Sequence, residues 1–322
     1  MPRLAILTTG GTIAMRATAG GPATLSGQGG DVLAAAPHLA DLAEVVHRDV
    51  LGIPSTSFSL DEFAAIVRAT NEAGDADGIV VTHGTDTLEE TAFALELTAT
   101  GGAPIVLTGA MRRFDQAGAD GAANLEAAGL TALSPLSRDK GVLVTMDDEI
   151  HWGPLIRKVH AFRTHAFSSA PFGPIGWVAE RTVRYALRPD IGYPKLELGP
   201  RAAVLPILEA GPGLEPEVVE SLGAVADALI LNLPGAGHMA GRAVAAAEAL
   251  AKRIPVVFAT RTGGGRTLAS SYGFAGSETD LIARGLIPAG ALDARKARIL
   301  LMVLLSADAP RALVEATFAA LP

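Results

Sequence analysis

Short apolar runs that pass through glycine into threonine constrain this chain more than any other feature. Residues 4–9, "LAILTT", run through Leu, Ala and Ile with no polar alternation, the pattern of a parallel strand covered on both faces. Gly10 and Gly11 follow, which permits a sharp turn or a close backbone approach to a ligand, and Thr12 is presented at once. Similar runs recur at 78–83 ("GIVVTH"), 104–108 ("PIVLT"), 141–145 ("GVLVT"), 202–208 ("AAVLPIL"), 227–232 ("DALILN") and 255–260 ("PVVFAT"). Helix-like segments separate them. In "SLDEFAAIVRATNEAG", residues 59–74, Ser59 with Glu62 three positions on makes a capping box, and apolar residues recur at 60, 63, 66 and 67. From Asp86, "DTLEETAFALELTAT" places acids in a first helical turn, where the macrodipole favours them. The alternation predicts parallel α/β architecture.

With 322 residues, 49% of them hydrophobic, the chain can bury the cores of two domains. The stretch "LRPDIGYPKLELGPR" carries three prolines and two glycines without periodicity. It reads as a linker over 187–201, between an N-terminal α/β domain at 1–186 and a C-terminal α/β domain at 202–322. A formal charge of −8, with no run of like charge, argues against nucleic acid as a partner. The absence of cysteine excludes disulfides, thiolate metal sites and cysteine nucleophiles. The seven histidines show no tight metal spacing, so no catalytic metal is expected. "MPRLAIL" is too short an apolar stretch for a signal peptide or a membrane span, and the chain reads as soluble and cytoplasmic. The glycine-rich "RATAGGPATLSGQGG", residues 16–30, is either a lid over whatever Thr12 faces or a surface loop.

Two readings compete for "TTGGT": a phosphate loop, or a site built around a threonine nucleophile. The first lacks a following Gly-Lys-Ser/Thr, a G-x-G-x-x-G spacing and an acidic residue about 20 positions on. The second strand end, "GIVVTHGTDTLEET", again passes through glycine to Thr85 and then to Asp86 at a helix start. Loops that follow parallel strands gather on one sheet edge, where open α/β proteins bind ligands. Helix capping is the bland alternative for Thr85 and Asp86, and a satisfied buried ring the one for His83.

"TTGGTIA" together with "THGTDTLEETA" closely resembles the bacterial-type L-asparaginases, and further matches at "LTGAMR", "ADGAANL", "GVLVTMDDEI", "KVHAFRTHAFSS" and "ARKARILL" extend the resemblance over nearly the whole chain. The resemblance implies a larger N-terminal sheet domain flanked by helices and a smaller Rossmann-like C-terminal domain. It also implies hydrolysis of the side-chain amide of L-asparagine to L-aspartate and ammonia through a threonyl ester, no cofactor, and a homotetramer of paired dimers. Carried over residue by residue, the acylated nucleophile falls at Thr12. Thr85, Asp86 and Lys158 form the hydrogen-bonded group beside it. Ser55 in "GIPSTSF" takes the substrate α-carboxylate, and Asp86 with Glu278, an acid lent by a neighbouring subunit, takes the α-ammonium. Backbone N–H groups near Gly11 and Thr85 are expected to hold the amide oxygen as it becomes an oxyanion, each donor contributing roughly 3 kcal/mol. A threonine hydroxyl is a weak nucleophile and needs a base or a field that eases loss of its proton, which Lys158 beside Asp86 supplies. For Lys158 to act as a neutral base, burial would have to lower its pKa by about 3 units from ~10.4.

The match breaks at three places that touch substrate handling. Leu25 stands about where the family has a lid tyrosine, leaving Thr24 or Ser26 as substitute hydroxyls. His238 in "GAGHMAG" occupies a position where asparagine is usual, and Thr56 one where glutamine commonly helps to bind the amino group. The alternatives are therefore an amidase for another β- or γ-amide, such as glutamine or D-asparagine, or a non-catalytic amino-acid-binding protein on the same scaffold.

Overall fold

The computed structural model describes residues 1–17, 23–25, 33–34 and 36–321. The chain is α/β and divides into two compact units, Met1–Lys195 and Leu196–Pro322.

In the first unit the described strands are β1 (Arg3–Thr8), β2 (Met15–Ala17), β3 (Ala23–Leu25), β4 (Glu44–Asp49), β5 (Gly78–Thr82), β6 (Ile105–Thr108), β7 (Leu143–Met146), β8 (Glu149–Trp152), β9 (Arg157–Lys158), β10 (Phe167–Ser168), β11 (Gly176–Ala179) and β12 (Thr182–Tyr185). Its helices are α1 (Leu60–Glu72), α2 (Leu88–Thr98) and α3 (Gly121–Leu133). Eight strands form one sheet in the order β12-β11-β8-β7-β6-β5-β1-β4. From β4 to β7 the neighbours are parallel, with Thr8 opposite Thr82 and Thr82 opposite Thr108. From β7 to β12 they are antiparallel. The two tight hairpins there turn on Asp147–Asp148 and Glu180–Arg181, both pairs at positive φ, as type I′ turns require. The inner parallel strands β5, β6 and β7 are fully buried, and β1 is buried after Arg3, because helices cover them; Leu125, Ala128 and Ala132 of α3 pack with Leu4, Ile6, Val80, Val106 and Leu143. Ser59 caps α1 with the complete capping box.

β1 is flanked by β4, which follows it, on one side and by β5 on the other. Strand order therefore reverses between β1 and β5, a topological switch point that opens a crevice beyond the carboxyl ends of these two strands. Of the glycine-rich segment 16–30 only residues 16–17 and 23–25 are described, where β2 and β3 pair with Arg16 opposite Thr24. The expected lid, and Ser26 within it, otherwise lies outside the described residues.

The second unit holds the wholly parallel sheet β13 (Ile207–Glu209), β14 (Leu229–Leu233), β15 (Val256–Thr260) and β16 (Ile287–Pro288). Its described helices are α4 (Pro216–Gly223), α5 (Val244–Ala251), α6 (Glu278–Ala283), α7 (Ala294–Ser306) and α8 (Arg311–Ala319). Only 207 and 208 of the expected run 202–208 join the sheet, and the strand goes on to Glu209; Pro206 has no N–H to give a ladder. Among the described residues no helix is long and apolar enough to cross a membrane.

Candidate active site

The crevice is built by glycines that let three turns touch backbone to backbone. Gly10 and Gly11 lie at φ of 99° and 90°, and Gly11 caps a short 3-10 turn, Thr12–Ala14. A β-carbon on Gly10 would come within 2.9 Å of the Ile53 carbonyl oxygen, and one on Gly84 within 2.7 Å of the Ser55 Oγ. The turns after β1, β4 and β5 thus converge. Thr9 reinforces the contact, its N–H and its hydroxyl both donating to the Thr82 carbonyl at 3.1 and 2.9 Å.

His83 fixes the turn from below. Its ring is fully buried and burial pushes it down to about 4, so it is neutral at physiological pH. The Gly84 carbonyl, 2.7 Å from Nδ1, can only accept, so Nδ1 carries the proton and Nε2 accepts from the Thr91 hydroxyl at 2.8 Å. The expectation of a satisfied buried histidine fits these two bonds.

Above the turn lies a charged, hydrogen-bonded group. The Lys158 ammonium donates to Thr85 Oγ1 at 2.9 Å and to Asp86 Oδ1 at 2.7 Å. Thr85 is buried, Lys158 is largely so, and Asp86 reaches solvent. Asp86 is not the cap of α2. That position belongs to Thr87, whose hydroxyl instead donates to the Ser55 carbonyl at 3.0 Å. Ser55 is buried in the 3-10 turn Ser55–Ser57, Thr56 beside it is exposed, and Thr12 is partly exposed.

Gly11, Thr12, Ser55, Thr85, Asp86 and Lys158 are thus placed by turns that meet at one sheet edge, with Thr56 on the outer side of its turn. Glu278 and His238 lie in the second unit, next to one another, with His238 Nε2 3.4 Å from Glu278 Oε2. Glu278 is fully buried, and its other oxygen accepts from the N–H groups of Ser271 and Tyr272, both at 2.8 Å. Burial is the largest single influence and works to raise the carboxyl, but the backbone N–H groups of Tyr272, Ser271 and Glu278 together with the field of His238 outweigh it, and the pKa falls below the ordinary value. The His238 ring also meets Tyr272 and Phe274 edge-on, at 4.8 and 5.1 Å between centroids.

Sequence reasoning missed Glu89. Its buried carboxylate accepts the backbone N–H of Lys158 and so holds the lysine strand against α2. The only signal was its place in the first turn of α2, where an acid is already explained by the macrodipole.

Together, a neutral buried histidine, an ammonium held between an alcohol and a carboxylate, and a second alcohol beyond a strained glycine pair suit acyl transfer to a hydroxyl. Residues 3–190 match the family model for the N-terminal domain of asparaginase, and residues 205–318 that for the glutaminase/asparaginase C-terminal domain. A probable L-asparaginase of Deinococcus radiodurans is 37% identical, with the match covering 99% of this chain and 97% of the relative. An L-asparaginase of Bacillus licheniformis is 32% identical over 94% of this chain and 95% of its own length. A glutaminase-asparaginase of Pseudomonas aeruginosa reaches 43%, but over 56% of this chain and 51% of that protein. With both of its parts matched and relatives aligned from end to end, the chain belongs to the asparaginase family and is an amidohydrolase.

Proposed function

We propose that the chain converts L-asparagine to L-aspartate and ammonia through an ester on Thr12. The observation that carries this reading is the Thr85–Lys158–Asp86 series at 2.9 and 2.7 Å, beside the turn that presents Thr12. An amino-acid-binding protein needs partners for a carboxylate and an ammonium, but no buried alcohol hydrogen-bonded to a lysine.

In the first step Thr12 Oγ attacks the side-chain amide carbon. A C–O bond forms, and the amide oxygen takes the electron pair of the C=O bond, held by backbone N–H groups near Gly11 and Thr85. The Thr12 hydroxyl proton moves to Thr85 Oγ1 as Thr85 gives its own proton to Lys158 and the Lys158 ammonium gives one of its protons to the departing nitrogen, so that the lysine ends the step charged as it began. The C–N bond then breaks, and ammonia leaves. A water molecule attacks the ester by the reverse proton path, releasing aspartate and restoring Thr12. Ser55 binds the α-carboxylate, and Asp86 and Glu278 the α-ammonium. Thr56 and His238 stand where they adjust fit to the amino end.

The assembly belongs to the same reading: a homotetramer in which paired subunits lend Glu278 to each other. Mixing Glu278→Ala with Thr12→Ala subunits then restores part of the turnover, and no rescue would count against sharing. Leu25, Thr56 and His238 favour a second reading, an amidase for another β- or γ-amide. Ammonia release from L-Asn, D-Asn and L-Gln by the wild type and by Thr12→Ala decides among these. The reading expects L-Asn to be turned over and Thr12→Ala to be silent. Ammonia production that survives Thr12→Ala removes the nucleophile, and calorimetric binding without any hydrolysis makes the chain a binding protein.

A further inference from the structure

Lys158 is carried by a short hairpin whose entering strand is held by the Glu89 carboxylate. β9 and β10 are two residues each, with Lys158 opposite Phe167, and Val159 and Phe162 in the connecting loop are exposed. The entering strand is tied by the N–H groups of Leu155 and Ile156, which donate to the Trp152 carbonyl. The departing strand is followed by Ser169, buried to 1% exposure, whose Oγ lies 2.9 Å from Nδ1 of His151, itself 1% exposed. The other ring nitrogen of His151 faces the Glu149 carboxylate at 3.3 Å.

Burial pushes His151 down to about 4, with His165 acting in the same direction, so the ring is neutral. The Ser169 hydroxyl and Nδ1 thus share a hydrogen bond between two buried groups, while Nε2 only faces Glu149. This bond ties the end of the lysine hairpin to β8, which is part of the large sheet.

We infer that His151 is a positioning residue for Lys158, fastening the β9–β10 hairpin through Ser169 so that the ammonium stays within hydrogen-bond reach of Thr85. The inference rests on the reading of Lys158 given above. Displacement of a catalytic group by about 1 Å can cost 10²-fold in rate, so a loosened hairpin is read in turnover before it is read in folding.

The test compares His151→Leu, which removes the ring nitrogen that meets Ser169, with His151→Asn, whose amide occupies roughly the place of Nδ1. Each is made in the wild type and in a Lys158→Met background, and kcat and KM for ammonia release from L-asparagine are measured. His151→Leu is expected to lower kcat at least tenfold with KM changed by less than about twofold, and His151→Asn to recover most of the loss. In the Lys158→Met background His151→Leu should change the residual rate by less than twofold. Equal losses in both backgrounds, or wild-type kcat in His151→Leu, would overturn the proposal. Wild-type turnover in Lys158→Met would overturn the role of Lys158, and the proposal with it. If His151→Leu does not fold, Ser169→Ala, which deletes one oxygen, repeats the comparison with the same expected outcomes.

Discussion

A β-carbon placed on Gly11 would lie 2.5 Å from the Cα of Gly84, closer than two carbon atoms of different segments can approach. The two alcohols of the candidate site are the residues that follow this contact. Gly11→Ala meets that obstacle and a φ of 90° that a side chain resists. It should destabilise the chain by roughly 2 kcal/mol or more and abolish ammonia release. Thermal unfolding followed by circular dichroism reads the first effect, and unchanged Tm with full turnover would contradict the contact.

Ser55 is expected to act on binding rather than on the chemical step. Its Oγ borders Gly84, and a hydrogen bond to a charged group is worth about 1.5–3 kcal/mol. Ser55→Ala should raise KM for an amide bearing an α-carboxylate by about 10- to 100-fold, with kcat within a few-fold. Loss of kcat at constant KM would remove Ser55 from the carboxylate pocket.

Acid should destabilise the first unit through its buried histidines. His83 and His151 are both pushed from 6.5 down to about 4 by burial, so between these values the unfolded chain binds protons that the folded chain refuses. The contribution of each ring is complete above about 6.5 and is lost as pH falls toward 4, up to about 3 kcal/mol apiece. Glu96, whose carboxyl burial raises, works in the opposite sense and offsets part of the loss. Urea midpoints at pH 7.5 and pH 4.5 should fall accordingly, less steeply in His83→Gln. An unchanged slope in that variant would show that the ring does not refuse its proton.

In the second unit Asp293 caps α7, accepting from the N–H groups of Arg295 at 2.9 Å and Lys296 at 3.1 Å. Its other oxygen faces the buried Lys296 ammonium at 3.7 Å. Asp293→Ala should cost about 1 kcal/mol from the lost cap, and more because a buried cation loses a partner. Asp293→Asn keeps the cap and isolates the second effect. Equal stability of the three proteins by urea denaturation would refute the assignment.

The parallel half of the first sheet is legible because its strands are covered on both faces and so read as continuous apolar runs, as β1 and β5 do. The antiparallel half is not. β8, β11 and β12 are four residues each, and their hairpins turn on Asp147–Asp148 and Glu180–Arg181, where no glycine or asparagine announces a type I′ turn. β4, at the sheet margin, has only two adjacent valines among polar and charged residues, so it gives no buried-run signal. Within the candidate site, Thr85 and Asp86 stand out locally because they follow a strand and a glycine. Lys158 has no such local mark, since it lies in a two-residue strand 72 positions from the Asp86 it meets, and only the resemblance points to it. Glu89 and His151 act through backbone and buried contacts, which no pattern of residue types reveals.

β1 lies between two strands that are both made after it. During synthesis the segment bearing Thr12 leaves the ribosome well before Gly84, and 146 residues (158 − 12) before Lys158. At roughly 5–20 residues per second that interval is about 7 to 30 seconds, in which β4 and β5 can already pair with β1 but the Lys158 ammonium is still missing. On the reading proposed above, amide cleavage is withheld from the nascent chain until Lys158 has been made and has joined the site.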